Sequence, residues 1–504
     1  MATLLGILTG IIVGSLAITL CAFIALVIYI AYQHKRYAHI PGPPRNDFFT
    51  GNLRQVTGSE SLPEFLAEQM RTYGPVFLLF MLQKPVVIVL EPNFIKEVLH
   101  STTHFKPPVE HANFWHVYGE RCFYHGLLTE TNVPKHLKRR SLFNPAFHRK
   151  YLMQSMDVFN DSVDLLINEL SSVADGKTEV KMLDLFNRIT LDAVAKVAFG
   201  LELGDVMDHD SPFTKAIGTT LKGVQAQFYT PWKKFSPFTS DRKFREEVRE
   251  SIRFVRETGR RCIEDRIAAK RRGDKIPKDL LTYILDVSGD FNADKDFQIE
   301  DMLDEFFTFF FAGQETSANL MAFILVELGH SPEIYQRVMT EVNAVFGSND
   351  RIEYKDLAKL EYLTMVIKET LRLWPPAFGT NRELATDMTV LGMKIPAGTV
   401  IWFNTYVMAR MEKYYKEPLV FDPERFNKVE NERDRNLYTY FPFSMGTRAC
   451  IGQSFAMIEV RLIIGRLLHN FNFTLVPGQD RDDIMQEITI KPRGRCRNYL
   501  TKTR

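Results

Sequence analysis

The sequence predicts a mainly α-helical fold with a small β-sheet region, carried on one N-terminal transmembrane helix. Three observations predict it. From Ala2 to Gln33 there is no charged side chain, helical periodicity fills most of the remaining chain, and short strand-like runs appear only at widely separated positions.

The heart of the first run, LAITLCAFIALVIYIAY, is almost wholly apolar, and about 20 such residues cross a bilayer as a helix. A cleavable signal peptide would have an apolar region of only about 7–15 residues behind a basic start. Here the basic residues follow the span, in HKRYAH (34–39). Residues 1–33 therefore read as a retained signal anchor. Positive charge stays cytosolic, so the rest of the chain should face the cytosol. Residues 34–45 read as a basic and proline-rich linker. Proline fixes φ and pushes its predecessor out of the helical region, so IPGPPR (40–45) predicts a stiff extended spacer.

By ordinary domain size, 504 residues would suggest about three domains. Residues 46–504 show no internal repeat, low-complexity tract or long Gly/Ser linker. Strand-like runs lie at PVFLLFML and PVVIVL (75–90) and again in MTVLGMKIPAGTVIWFN (388–404), where Gly392 and Gly398 mark turns. Helical patterns lie between them and beyond, as at 155–174, 244–272 and 333–346. Distant strands interleaved with helices fit one large domain over 46–504 better than three in tandem.

One helix stands apart. IEDMLDEFFTFFFAGQETSANLMAFILVELGH (299–330) is roughly 45 Å long at 1.5 Å per residue, and its second half is apolar all round. It should run through the protein interior. A second membrane span is rejected because Gln314, Glu315 and Asn319 interrupt it and acidic residues crowd its start.

Composition narrows the function. A net charge of +2 argues against a nucleic-acid binder. The 5 cysteines are odd in number and far apart, which argues against a disulfide framework or a structural zinc site and fits a reducing compartment. The 39 phenylalanines point to a large apolar interior of the kind that can hold an apolar ligand.

The chemistry concentrates in FPFSMGTRACIG (441–452). A thiolate ligand must be kept deprotonated, which nearby positive charge and backbone N–H donors favour. Gly446 and Gly452 let the backbone turn and aim N–H groups at the Cys450 sulfur, and Phe443 can cover it from solvent. The apolar helix that follows places Cys450 just ahead of a helix N-terminus, whose partial positive charge steadies an anion. A buried free cysteine is the bland alternative, and a phenylalanine, two glycines and an arginine at fixed offsets argue against it.

These residues resemble the haem-thiolate monooxygenases, the cytochrome P-450 family, and the likeness extends over nearly the whole chain. ETLR places Glu369 and Arg372 on one helical face, and PERF (423–426) supplies Arg425, together similar to the family's Glu-Arg-Arg lock. AGQETS (312–317) resembles its oxygen-activation motif. The resemblance implies a single cytochrome P-450 fold, haem b with Cys450 as axial iron ligand, O2 as co-substrate and NADPH as electron source. Thr316 would hold a hydrogen-bonded water near the bound oxygen, and Glu315 would relay protons from solvent. Ala312 and Gly313, being small, would leave room for oxygen and substrate. Arg448, Arg382 and Arg140 match positions that serve the haem propionates. His136 stands where the family usually has a tryptophan; its ring N–H can donate to a propionate but covers less haem surface.

The implied partners are NADPH-cytochrome P-450 reductase, with cytochrome b5 as an optional second donor, the lipid bilayer and a sterol. The implied location is the endoplasmic reticulum membrane, single-pass, with the catalytic domain cytosolic. Stretches such as RYAHIPGPPR, ESIRFVRETGR, NTYVMARM and TYFPFSMGTRACIGQ are similar to the cholesterol 24-hydroxylases within the family. A sterol needs an apolar site with a few placed polar groups, and Phe114, Trp115, Phe123, Ala312, Ala377 and Phe378 are the candidates to line it. Other readings stay open: a monooxygenase of a fatty acid, another steroid or a xenobiotic; a haem-thiolate lipid isomerase, which has little use for Glu315 and Thr316; and a sterol-binding protein without turnover.

Overall fold

The apolar run folds as one helix, Ala2–Arg36, in a computed structural model that describes residues 2–59, 61–203, 211–288, 298–427 and 437–503. Its described side chains are almost all exposed as far as Tyr29, as those of a lipid-packed span must be. Its C-terminal end differs. Ile30, Gln33, Tyr37 and Ile40 recur at three- and four-residue spacing and are buried against the body. The Tyr37 and Thr399 hydroxyls lie 2.7 Å apart, and the Leu78 N–H donates to the Pro41 carbonyl at 2.8 Å. At Gly42 a Cβ would stand 2.2 Å from the Leu78 carbonyl oxygen, so only glycine lets the chain lie this close. The expected stiff extended spacer is thus docked along the first strand. Packing, and not proline stiffness alone, holds it.

That strand, Val76–Met81, pairs antiparallel with Lys84–Val89 through a turn at Leu82, whose φ is +56°. Lys84–Val89 pairs parallel with Val400–Asn404, which pairs antiparallel with Gly379–Glu383 to complete a four-stranded sheet. Distant segments thus build one sheet, as their spacing predicts. Met388–Val390 and Met393–Ile395 form a separate hairpin turned at Leu391 and Gly392. A second hairpin, Ile484–Gln486 with Ile490–Pro492, packs on the central helix.

The central helix runs unbroken from Ile299 to Gly329. A capping box starts it: the Asp301 carboxylate accepts from the Gln298 N–H at 3.0 Å, and acidic Glu300 and Asp301 face the positive end of the helix dipole. Most of its residues are buried in protein, which confirms it as interior and not membrane-spanning. Helix Met182–Phe199 lies along it, and the two meet closely at Gly313, where a Cβ would come 2.6 Å from Val194. Four other helices position the site: Val133–Phe143, Thr239–Arg272, Glu361–Leu373 and Gln453–Asn470. Asn132 caps the first of these by accepting the Lys135 N–H at 3.0 Å.

Candidate active site

The segment 441–452 folds as a tight loop closed by the Cys450 N–H donating to the Phe443 carbonyl at 2.8 Å. Ser444 and Gly446 take left-handed φ values of +58° and +67°. A side chain at Gly446 would meet the Leu99 carbonyl oxygen at 2.1 Å, so glycine seats the loop on the end of helix Pro92–His100. Gly452 does something else. A Cβ there would touch only the Cys450 sulfur, at 3.9 Å, so its value lies in its N–H and not in close packing. The Gly452 and Gln453 N–H groups point at the sulfur, at the start of helix Gln453–Asn470, as expected from the sequence.

Cys450 is enclosed at depth by protein, yet its side chain is accessible to water. Accessibility of the sulfur is what decides whether it can ligate. Burial raises the thiol pKa, opposed by those N–H groups and by Arg140. A bound metal cation would supply the remaining stabilisation of the thiolate.

Beside the loop lies a concentration of buried cations. Both terminal nitrogens of Arg448 are buried without a hydrogen-bond partner, as is Nη2 of Arg382. Arg382 Nη1 donates to the Asn381 carbonyl at 2.7 Å and the Thr380 hydroxyl at 3.2 Å. Burial pushes Arg448 down to about 9 and Arg382 to about 10, the former also through Arg382. Lys106 joins them, pKa well down through burial, Arg448 and Arg382, with its Nζ donating to the Leu128 carbonyl at 2.8 Å. His136 is buried with Nδ1 unpartnered, and burial and then Arg448 push it to about 2, so it is neutral. Arg140 faces the loop instead, donating to the Ala449 carbonyl at 2.6 Å and to Asn144 at 2.7 Å.

Buried guanidinium N–H groups without partners are costly unless an anion meets them. A haem fits these residues: its two propionates match the orphaned donors, and its iron matches the accessible sulfur of Cys450, two residues along the chain from Arg448.

The motifs on the central helix are placed less simply. The Thr316 hydroxyl donates to the Ala312 carbonyl at 2.6 Å, the ordinary back-bond of a helical threonine. The Glu315 carboxylate turns away from it, toward the hairpin, with Lys491 Nζ at 3.7 Å and the Thr489 hydroxyl nearby. Burial raises its pKa, opposed by Lys491. Lys491 in turn pairs with Glu487 at 2.5 Å and is partly exposed, so the acid is linked to solvent. Gly313 is a correction: its missing side chain makes room for Val194 of a neighbouring helix, not for substrate.

The lock residues come together. Arg372 grips Glu369 with two hydrogen bonds of 2.7 Å, and both side chains are fully buried. Arg425 Nε lies 3.4 Å from Glu369, and the Asp422 N–H donates to the same carboxylate at 2.9 Å. Arg372 also donates to the Ala409 and Pro418 carbonyls.

Of the expected lining residues, Phe123 packs edge-on against Phe311 at 5.1 Å and Phe307 at 6.1 Å, next to Ala312, and Phe114 joins it at 6.0 Å. Trp115 packs instead among Tyr124 and His125, its indole N–H donating to Thr129 at 3.4 Å. Ala377 is exposed and Phe378 is buried beside Trp402. They follow Pro376, whose carbonyl accepts from Ile490 of the hairpin at 3.0 Å. Sequence reasoning missed Lys106, Lys491 and Thr489. A lone lysine or threonine carries no motif, and chain folding alone brings these to the site.

Comparison with known proteins agrees with this geometry. A family model described as Cytochrome P450 matches residues 41–495. The chain is 29% identical over 471 residues to Cytochrome P450 4d2 of Drosophila melanogaster, covering 90% of this chain and 92% of that protein. It is 27% identical over 463 residues to Cytochrome P450 3A29 of Sus scrofa, covering 90% and 89%. The crystal structure of the cytochrome P450DA heme domain superposes with a TM-score of 0.80 at 21% identity, covering 92% of this chain and 98% of that one, a likeness of fold.

Proposed function

The chain belongs to the cytochrome P450 family, and we propose that it hydroxylates a sterol side chain, with cholesterol attacked at carbon 24. The family carries haem on a cysteine thiolate and takes O2 and NADPH-derived electrons through a reductase. When bound, the haem activates O2 so that R–H + O2 + NADPH + H⁺ gives R–OH + H2O + NADP⁺.

The remaining work falls to the chain. Cys450 would hold the iron, its charge steadied by the Gly452 and Gln453 N–H groups. Phe443 would cover that side of the haem from solvent, and Gly446 seats the loop. Arg448 and Arg382 would meet the propionates with their unpartnered N–H groups; His136 and Lys106 complete that wall, and Arg140 ties the loop to helix Val133–Phe143. The Glu369, Arg372 and Arg425 cluster braces the polypeptide around the loop. Thr316 would hold a water near the bound oxygen once its hydroxyl leaves the Ala312 carbonyl, and Glu315 would turn back from Lys491 to pass protons to it. The single observation that carries the haem assignment is the pair of buried arginines with unpartnered N–H groups beside an accessible cysteine.

The sterol reading rests on the matching stretches from HIPGPPR to FPFSMGTRACIG, supported by the apolar wall of Phe114, Phe123, Phe311 and Ala312. A bilayer-dissolved substrate suits an anchored enzyme. Trp232, Phe235 and Phe238 stand 65%, 81% and 71% exposed beside Lys233 and Lys234, an apolar and basic surface suited to the headgroup region. This supports reading the catalytic domain as lying on the cytosolic face of the endoplasmic reticulum membrane. The deciding experiment supplies holoenzyme with reductase, NADPH and cholesterol and identifies products by mass spectrometry. A 24-hydroxylated product supports the reading; coupled oxidation of other lipids but not of cholesterol would overturn it.

A further inference from the structure

We propose that the segment Arg121–Glu130 is a strap across the substrate chamber, and that Glu305 is the positioning residue that latches it to the central helix. This rests on the reading that Phe114, Phe123 and Ala312 face the substrate. Both oxygens of the Glu305 carboxylate accept the Leu127 N–H, at 2.9 and 3.1 Å. Gly126, one residue earlier, lies so close to the central helix that a Cβ would come 2.4 Å from the Thr308 hydroxyl. At the leading end Arg121 forks onto Asp304 with bonds of 2.9 and 2.7 Å. On the other side of Leu127, the Leu128 carbonyl is held by Lys106, a member of the propionate-side cation group. The strap is therefore tied to the central helix and to the cofactor wall, and between these ties it carries Phe123 onto Phe307 and Phe311. Releasing Glu305 frees the middle of the strap and so the aromatic wall.

The latch is charged, and its surroundings set when. Glu305 is fully buried and faces Arg139 of helix Val133–Phe143 at 3.3 Å. Arg139 also holds Asp301 at 2.7 Å. Asp304, on the same helix as Glu305, is met by Arg121 of the strap and by Arg256 of helix Thr239–Arg272, and Arg256 and Arg260 also pair with Glu300. Within the strap, Glu130 lies 3.5 Å from His125. Burial, only partly offset by Arg139 and the Leu127 N–H, lifts Glu305 to about 7. The folded chain thus holds this carboxyl protonated below about pH 7 and ionised above it. Only the ionised form both pairs with Arg139 and accepts the amide with full strength. The strap is latched above neutrality and loosened below it.

Stopped-flow dissociation tests this on the full-length ferric holoenzyme across about two pH units centred on pH 7. Two probes are used: cholesterol, and 4-phenylimidazole, an azole that ligates haem iron whatever the natural substrate. Expected for the wild type is a rate that falls by about tenfold as pH rises through 7, the effect of one charge-assisted hydrogen bond. Glu305→Gln should be fast and flat with pH, Glu305→Asp should restore the inflection, and amide exchange should quicken over 122–130 while 441–453 stays unchanged. Should Glu305→Gln fail to fold, Arg139→Gln serves, since losing the cation should move the inflection upward. A wild-type profile flat with pH, or one matched by Glu305→Gln, overturns the latch. If the azole shows the inflection and cholesterol never binds, the latch stands and the sterol reading falls.

Discussion

Removing one partner of the Glu369–Arg372 pair gives a quantitative test of what braces the cysteine loop. In Glu369→Gln the Arg372 guanidinium keeps its bonds to the Ala409 and Pro418 carbonyls but loses the one carboxylate that pairs with it among the described residues, at full burial. Arg425 and the Asp422 N–H lose the same partner. Breaking a buried pair in this way costs about 3–5 kcal/mol, because the survivor is left as an uncompensated charge. Unfolding entropy of about 2.1 cal/mol/K per residue makes that about 3–5 °C in Tm for a chain of this length. The assay is thermal melting followed by haem absorbance and by circular dichroism. The decisive comparison is with Glu369→Gln/Arg372→Met, which removes the stranded charge. Its loss should be clearly smaller than the sum of the two single losses. A fall below about 1 °C for Glu369→Gln, or strictly additive losses, would refute the claim that an unpaired buried charge is the cost.

Three further outcomes are expected. Cys450→Ser should abolish the red-shifted absorption band of the reduced carbon-monoxide complex, and an unchanged band would remove Cys450 from the iron. Thr316→Ala should slow product formation by about a hundredfold, the lower reach of a positioned proton donor, while NADPH oxidation continues and appears as hydrogen peroxide. Tightly coupled turnover in that variant would place the proton donor elsewhere. Gly446→Ala combines a left-handed φ with a 2.1 Å clash against backbone, so purified protein should contain little haem, and full incorporation would show that the loop seats otherwise.

How much of this was legible in the sequence depends on how far each feature extends along the chain. The central helix, the cysteine loop and the Glu369–Arg372 pair are local patterns, and the structure places them as their spacing requires. Gly313 misled because successive helical residues point about 100° apart, and one residue's uncertainty in facing exchanges the chamber for helix Met182–Phe199. Trp115 misled similarly: an aromatic next to Phe114 need not share its direction. Lys106, Lys491 and Glu305 were invisible for another reason. Their importance comes from partners 22, 176 and 178 residues away, at Leu128, Glu315 and Leu127, and no local pattern encodes such meetings. Glu315 lay in between: its motif was readable, but its partner Lys491 and the direction of its carboxylate were not.

The docked end of the first helix has a mechanical consequence. Because Tyr37 is bonded to Thr399 and Gly42 is pressed on Leu78, no slack section separates the bilayer span from the sheet. Spans tilt to match bilayer thickness. In the proposed membrane arrangement, a tilt of this span is delivered to the body as a rotation, which would lift or sink Trp232, Phe235 and Phe238 relative to the headgroups. Lipid composition then becomes an input to the enzyme, read as an angle.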